Sequence, residues 1–155
     1  MKLVSGGQTG VDQGALAAAL HCGTPCGGWC PEGRRSEDGA IPAIYPVREL
    51  PGAGYAQRTL QNVRDSDGTA LVFAGVLEGG TRLTHSCCIE VSRPCLLIDA
   101  AVMTPTDAVD ALVRFVARHG IETLNVAGPR ASRWPEAYDY ALRLLTGVLT
   151  TLDPP

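Results

Sequence analysis

The 155-residue sequence predicts an α/β fold, a three-layer sandwich in which helices cover both faces of a mostly parallel β-sheet. Two observations lead to this prediction. Strand-like runs alternate with helical patterns along the chain, and residues 70–74 are entirely apolar, as in buried parallel strands. Right-handed crossovers between such strands place helices on both sides of the sheet. No repeat, low-complexity tract or linker interrupts the sequence, so we expect one domain over residues 1–155.

The N-terminal half contains three predicted strands and two predicted helices. Residues 2–5 form the first strand, a glycine-rich turn follows, and a helix covers about residues 12–21. Residues 26–30 form a second short strand, after which residues 31–42 show no periodicity and predict a long exposed loop. A brief strand at 44–47 leads to a helix over about residues 53–64.

The C-terminal half predicts a regular alternation of strands at 70–74, 95–98 and 124–127 with helices at about 79–92 and 106–120. A closing helix follows. Its inner face is expected to carry Tyr138, Ala141, Leu142, Leu145 and Leu149. Three further apolar residues, Leu144, Val148 and Leu152, are expected on its outer face. Such a surplus is commonly buried against an identical subunit and predicts a homo-oligomer, a dimer or a dimer of dimers.

Composition and charge exclude several classes of partner. The formal net charge is −3, so the protein has no general positive field with which to hold nucleic acid or an anionic membrane surface. No apolar run approaches the roughly 20 residues that a membrane span needs, and the first residues do not form a leader segment. We therefore expect a cytoplasmic protein with no nucleic-acid or membrane partner.

The six cysteines and three histidines do not form an evident metal site or catalytic set. Pro25, Gly27 and Gly28 prevent the helix that would align the cysteines at 22, 26 and 30 on one face, and no paired C-x2-C motif is present. In a reducing cytoplasm the cysteines are expected to be thiols. No histidine is paired with a nucleophile, so we predict neither a metal ligand nor a catalytic residue.

The loop after the first strand, residues 5–14, is the strongest candidate for a binding site. Glycines let backbone N–H groups approach an anion closely, and the following helix N-terminus adds positive potential. The loop lacks the G-x-G-x-x-G pattern and the P-loop lysine, which excludes the standard dinucleotide and ATPase motifs. The alternatives are a tight turn that requires glycine, and helix capping by Asp12. The candidate binding residues here are Gly6, Gly7, Gln8, Thr9, Gly10 and Asp12.

Four other segments provide candidate ligand contacts. A second strand–helix loop at 79–84 repeats the anion-binding pattern and adds two hydroxyl groups, so the two loops together are expected to hold a phosphorylated ligand. The loop after the last strand and the long exposed loop offer guanidinium groups, although solvated surface charges are the alternative there. The polar run at 65–68 is explained in part by helix capping. The candidate residues are Gly79, Gly80, Thr81, Thr84, Arg130, Ser132, Arg34, Arg35 and Asp67.

Five ordered motifs span residues 3 to about 145: SGGQTGVDQG at 5–14, GWCP at 28–31 with GR at 33–34 and EDG at 37–39, NV at 62–63 with DSDGT at 65–69, GGT at 79–81 with Thr84, and NVAGPR at 125–130. Together they closely resemble the molybdenum carrier family, the molybdenum cofactor carrier proteins. The resemblance implies a Rossmann-like fold of the SLOG type and a homo-oligomer, with a tetramer preferred. It also implies binding of molybdenum cofactor, a molybdate-bearing pterin with a terminal phosphate, for storage or delivery to molybdoenzymes or the machinery that inserts the cofactor.

The wider SLOG group supplies the alternative hypothesis. It includes phosphoribohydrolases that release a base from a nucleoside monophosphate and that place a glutamate shortly after a P-G-G-x-G-T turn. Here the proline is missing, and Thr84 stands near the position expected for that glutamate. The departure counts against hydrolysis, although Asp12, Asp67 or Glu78 could supply a carboxylate from another loop. The leading hypothesis is a non-catalytic carrier, with free molybdate as a weaker ligand, and the alternative is a nucleotide sensor or hydrolase that uses the same cleft.

Overall fold

The computed structural model describes residues 1–154 and consists of five helices and three β-sheets. In chain order the elements are β1 (Lys2–Val4), α1 (Val11–His21), β2 (Cys26–Gly27), β3 (Trp29–Cys30), β4 (Arg35–Ser36), β5 (Gly39–Ala40), β6 (Arg48–Glu49), α2 (Tyr55–Arg64), β7 (Gly68–Phe73), α3 (Gly79–Glu90), β8 (Cys95–Asp99), α4 (Pro105–His119), β9 (Thr123–Ala127) and α5 (Ala137–Leu152).

The central sheet is entirely parallel and has the strand order β2-β1-β9-β7-β8. Helices α1, α4 and α5 pack together on one face, and α2 packs with α3 on the other. This arrangement follows from handedness, because right-handed crossovers that run in opposite directions from the middle of a sheet place their helices on opposite faces. The predicted three-layer α/β architecture is confirmed.

Packing of β7 and capping of α4 show how local sequence produces these elements. All six residues of β7 are buried, as expected for a central parallel strand covered on both faces. The N-terminus of α4 is capped by Thr104, whose hydroxyl oxygen accepts the N–H of Asp107 at 3.1 Å, and Pro105 starts the helix. Gly120 ends it in the left-handed conformation, at φ 59°.

Two predictions about the N-terminal half were wrong. The run at 44–47 is not a strand, and Ile44 is 69% exposed; the strand is β6, which pairs with β3 outside the central sheet. Residues 26–30 form two strands in different sheets because the chain turns at Gly28, whose φ is 124°. A Cβ atom at Gly28 would lie 2.2 Å from the carbonyl oxygen of Ser5, so only glycine fits. The predicted exposed loop also contains a small hairpin, β4–β5.

The prediction for the outer face of the last helix was also wrong. Leu144 and Val148 are buried inside the subunit, in the same hydrophobic cluster as Ala108 and Leu112 of α4. Because α4 lies beside α5 on the same face of the sheet, α5 buries a second side that the pattern of a single helix does not reveal. The homo-oligomer stays a prediction, but these two side chains do not support it.

Candidate functional site

A cleft of about 560 Å³ lies at the carboxyl ends of β1, β9 and β7. The crossover after β1 runs toward one edge of the sheet and the crossover after β7 runs toward the other, so the strand order reverses here and the loops separate. Open parallel sheets bind ligands at such a switch point. The cleft is lined by Gln8, Asp12, Tyr55, Arg58, Thr59, Ala74, Val76, Glu78, Gly79, Gly80, Thr81, Leu83, Thr84, Pro129, Arg130, Arg133 and Trp134.

The N-terminus of α3 forms one wall of this cleft. Glu78 makes no side-chain cap, and across residues 1–154 the backbone N–H groups of Gly79, Gly80 and Thr81 have no acceptor. These donors and the helix dipole together favour an anion. Thr84 is buried one turn further on, where its hydroxyl donates to the carbonyl of Gly80 at 2.9 Å. The structure therefore brings the four candidates of this loop to the cleft.

Three backbone donors of the first glycine-rich loop are bound within the protein. The N–H of Gln8 donates to Asp12 Oδ2 at 3.2 Å, the N–H of Thr9 donates to Gln8 Oε1 at 3.0 Å, and the N–H of Val11 donates to the carbonyl of Pro129 at 3.2 Å. The loop thus surrounds a carboxylate of its own chain, and of its candidate residues only Gln8 and Asp12 line the cleft.

Gly7 and Gly10 have the geometry expected of a tight turn that requires glycine, which was the alternative to an anion site. Both have positive φ, near 80°. A Cβ atom at Gly10 would lie 2.4 Å from the carbonyl oxygen of Pro129. These two glycines are therefore needed for the conformation and the close approach of the backbone, independently of any ligand.

Asp12 and Arg58 form a buried ion pair on the floor of the cleft. Arg58 Nη1 lies 3.7 Å from Asp12 Oδ2, and Asp12 is 2% exposed. Burial raises the pKa of Asp12 above its usual value, and the charge of Arg58 offsets only part of that rise. The capping hypothesis for Asp12 was wrong, because the N-cap residue of α1 is Gly10. Arg58 Nε is buried and has no hydrogen-bond partner in residues 1–154.

The loop after β9 is tied to the tip of the β4–β5 hairpin through Glu37. The carboxylate of Glu37 accepts the Thr9 hydroxyl at 2.5 Å, the Ser132 N–H at 3.1 Å and the Ser132 hydroxyl at 2.5 Å. Arg130 Nε lies 3.5 Å from Glu37 Oε2. Partial burial acts to raise the pKa of Glu37, but the bonds from Ser132 and Thr9 and the charge of Arg130 together lower it. Arg130 also lines the cleft, whereas Thr9 and Ser132 are engaged beside it.

Arg34 and Arg35 do not line the cleft. The guanidinium of Arg34 donates to backbone carbonyls on the segment that follows the hairpin, with distances of 2.8 Å to Val47, 2.9 Å to Pro42 and 3.1 Å to Tyr45. Arg35 is exposed and donates to the carbonyl of Glu32 at 2.9 Å. Arg34 therefore holds the base of the hairpin, a role that no local pattern revealed.

Asp67 lies at the opposite edge of the sheet from the cleft. It directly precedes β7, and its Oδ2 accepts the N–H groups of Glu122 and Thr123, at 3.0 and 2.8 Å, at the start of β9. A residue before a parallel strand and a residue after it are separated by the length of that strand. The placement of Asp67 with the ligand-binding loops was therefore wrong.

Several residues that line the cleft are not among the predicted site residues. Tyr55, Arg58 and Thr59 lie on one side of α2, and Arg133 and Trp134 follow the last predicted loop. The available signal was the polar stripe at helical spacing on α2. The sequence does not show which part of the protein this stripe faces, because tertiary packing alone brings α2 to the cleft.

The described part of the chain, residues 1–154, has no helix long and apolar enough to cross a membrane. Within the same residues, no group of three histidine, cysteine or acidic side chains converges as a metal site requires. All six cysteines are free thiols, and Cys87 and Cys88 are buried on α3.

Comparisons with known proteins give two matches. Residues 3–149 match the model of the circularly permutated YpsA SLOG family. A crystal structure of a protein named "Putative molybdenum carrier protein" from Syntrophus aciditrophicus SB superposes with a TM-score of 0.93 and is 42% identical in sequence, over 96% of this chain and 94% of that chain. No curated protein matches significantly.

Proposed function

The chain belongs to the circularly permutated YpsA SLOG family, and on that premise we propose that it is a carrier that binds molybdenum cofactor in the cleft described above. The observation that carries this proposal is the meeting of an uncapped helix N-terminus with three arginines in one cavity. The name of the structural neighbour supports the choice of cargo.

The phosphate of the cargo is assigned to the N-terminus of α3. The three free N–H groups of Gly79, Gly80 and Thr81 form the donor set that phosphate oxygens require. Arg58 and Arg133 supply positive charge from other walls of the cleft. The first loop is not assigned this role, because the N–H groups of Gln8 and Thr9 already donate to Asp12 and Gln8, and the glycines of the loop do not line the cleft.

The rest of the cleft suits a planar heterocycle with anionic substituents. Tyr55 and Trp134 provide aromatic surface, and the volume of about 560 Å³ lies within the usual range for small-molecule sites. The buried Nε of Arg58 lacks an acceptor, and an oxygen of the cargo would supply one. In this carrier the chain's own residues bind and orient the cargo and shield it from water, and no catalytic step is required.

The test of the carrier proposal is reconstitution of purified protein with molybdenum cofactor, followed by measurement of bound molybdenum and pterin. Thr81→Glu places a carboxylate against the donors that hold the phosphate, and we expect it to lower the bound fraction at least about tenfold. Thr106→Glu is the control for the added charge, because Thr106 is exposed in the first turn of α4 and does not line the cleft. Since Thr81 is buried, Thr81→Glu must also keep the native circular dichroism spectrum. Equal loading of both variants and the wild type would refute the assigned site.

The alternative is an enzyme or sensor for a nucleoside phosphate. One observation favours it: Asp12, a buried carboxyl group with a raised pKa, lines the same cleft as the anion-binding helix end. A thermal-shift series with nucleoside mono- and diphosphates tests it, since a ligand at one hundred times its Kd adds about 2.7 kcal/mol of stability. Stabilisation together with release of free base, lost in Asp12→Asn, would place this function ahead of the carrier.

A further inference from the structure

Glu37 occupies a set of donors that resembles an oxyanion-binding site. The donors come from two loops at the carboxyl end of the sheet: the hydroxyl of Thr9, the N–H and hydroxyl of Ser132, and Nε of Arg130. The N–H of Ala131 donates to the Thr9 oxygen at 3.1 Å, which directs the Thr9 hydroxyl hydrogen toward the carboxylate. Charge-assisted donors of this kind bind phosphate groups as well as carboxylates.

We propose that these donors form a second site, for a tetrahedral oxyanion, which the Glu37 carboxylate fills until the anion of a ligand displaces it. The inference rests on the proposed function, because Arg130 borders both this site and the cleft. A ligand whose phosphate lies on α3 can therefore extend a second anionic group past Arg130 toward Thr9 and Ser132.

The hairpin that carries Glu37 is anchored at its base, so its tip can move away from Thr9 and Ser132 while the base stays in place. Arg34 binds the carbonyls of Pro42, Tyr45 and Val47 and so anchors the base. The β4–β5 pairing itself covers only two residues in each strand. Beyond the base, the hairpin tip is held by the Glu37 side chain and by one bond from the Glu37 N–H to Gln8 Oε1, at 2.9 Å.

Displacement exchanges one anion for another on the same donors. The incoming oxyanion accepts the hydrogen bonds of Thr9 and Ser132 and the charge of Arg130, and the released Glu37 carboxylate becomes hydrated. Because these donors are occupied in both states, the cost of binding is mainly the loss of the Glu37 contacts. Removing the charge of Glu37 should therefore strengthen binding of an oxyanion, whereas a purely structural role predicts no gain.

The test is calorimetric titration with sodium molybdate. Glu37→Gln removes the competing charge at constant size, and we expect it to bind molybdate at least about tenfold more tightly than the wild type. Asp38→Asn is the matched control on the same hairpin tip, since its carboxylate accepts from Ser36 and not from the site, and its affinity should equal that of the wild type. Adding Ser132→Ala to Glu37→Gln should reverse most of the gain. Equal affinities of Glu37→Gln and the wild type would overturn the proposal.

A measurement on unmodified protein tests displacement without any variant. Molybdate should release the tip and accelerate trypsin cleavage after Arg35, whereas unchanged cleavage at saturating molybdate would contradict displacement. Titration of the wild type and Glu37→Gln with inorganic phosphate tells whether the second site takes a phosphate group or only a metal oxyanion. Only tighter binding by Glu37→Gln supports the second site, because the donors at α3 are the same in both proteins.

The two proposals can fail separately. Thr81→Glu should lower cofactor loading at least about tenfold and leave the gain in molybdate affinity of Glu37→Gln intact, because Thr81 is not one of the residues that hold Glu37. A gain that persists when wild-type protein takes up no cofactor would reject the carrier alone. Cofactor loading without any effect of Glu37→Gln would reject the second site alone.

Discussion

Gly6 and Arg58 are in direct contact across the cleft floor, and the missing side chain of Gly6 makes room for the guanidinium. A Cβ atom added to Gly6 would lie 1.9 Å from Arg58 Nη1 and 2.4 Å from Cζ. The φ of Gly6 is not positive, so its backbone does not require glycine. The packing of Arg58 therefore explains why position 6 is glycine. Arg58 in turn pairs with Asp12.

The Gly6–Arg58 contact predicts strong coupling in a double-mutant cycle. Gly6→Ala alone forces Arg58 out of its site, and we expect a loss of about 1–3 kcal/mol in the free energy of unfolding. In the Arg58→Ala background the obstruction is gone, and the same substitution should cost less than about 0.5 kcal/mol. Urea unfolding of the four proteins measures both values. An equal cost in the two backgrounds would show that another contact excludes alanine.

The raised pKa of Asp12 predicts a specific pH dependence of stability. A carboxyl group whose pKa is higher in the folded state contributes its full stabilisation below its unfolded value, near 3.8, and loses it as the pH rises through the folded value. Asp12→Asn does not titrate. The free energy of unfolding of the wild type should therefore fall relative to that of Asp12→Asn as the pH rises above about 4. Urea unfolding from pH 4 to 8 tests this, and a wild-type free energy of unfolding that stays constant or rises relative to that of Asp12→Asn as the pH increases would contradict it.

The contacts of Arg34 and Arg35 predict that replacement by lysine destabilises the protein at the first position and has little effect at the second. Arg34→Lys loses the planar group that reaches several carbonyls at once, and we expect a cost of about 1–3 kcal/mol together with faster proteolysis of the hairpin. Arg35→Lys changes an exposed residue and should stay within about 0.5 kcal/mol of the wild type. Thermal unfolding and limited proteolysis compare them directly. Equal effects would remove the anchoring role of Arg34.

Burial of Val148 predicts unfolding rather than dissociation when a charge is introduced on α5. Val148→Arg places an unpaired charge in the hydrophobic cluster shared with α4, and we expect a loss of more than about 3 kcal/mol. Thr150→Arg, at an exposed position on the same helix, should keep the native circular dichroism spectrum.

Light scattering of the wild type tests the predicted homo-oligomer against the subunit mass of 16.3 kDa. A monomer mass would reject that prediction. A folded, dissociated Val148→Arg protein would show instead that this residue lies between subunits.

The sequence alone determined the architecture and placed the candidate loop at α3 in the cleft. Apolar runs and helical periodicity are local properties of a sequence. The residues that identify β7 and α4 lie within a few positions of one another along the chain. The alternation of strands and helices then leaves few arrangements, because crossover handedness selects among them. The candidates at 79–84 lie in the cleft because a loop that follows a parallel strand lies at the carboxyl edge of the sheet.

Only the tertiary structure decided what each loop does with its donors. Glycine spacing in the first loop indicated an anion site, yet the anion there is Asp12 of the same chain, and Glu37 fills the donors after β9 from a hairpin distant in sequence. Whether a guanidinium lines the cleft, as that of Arg58 does, or binds backbone carbonyls, as that of Arg34 does, depends on which groups packing brings within about 3 Å. Hydrogen bonds are short-ranged and directional, so these assignments are made by contacts between distant segments that no local pattern records.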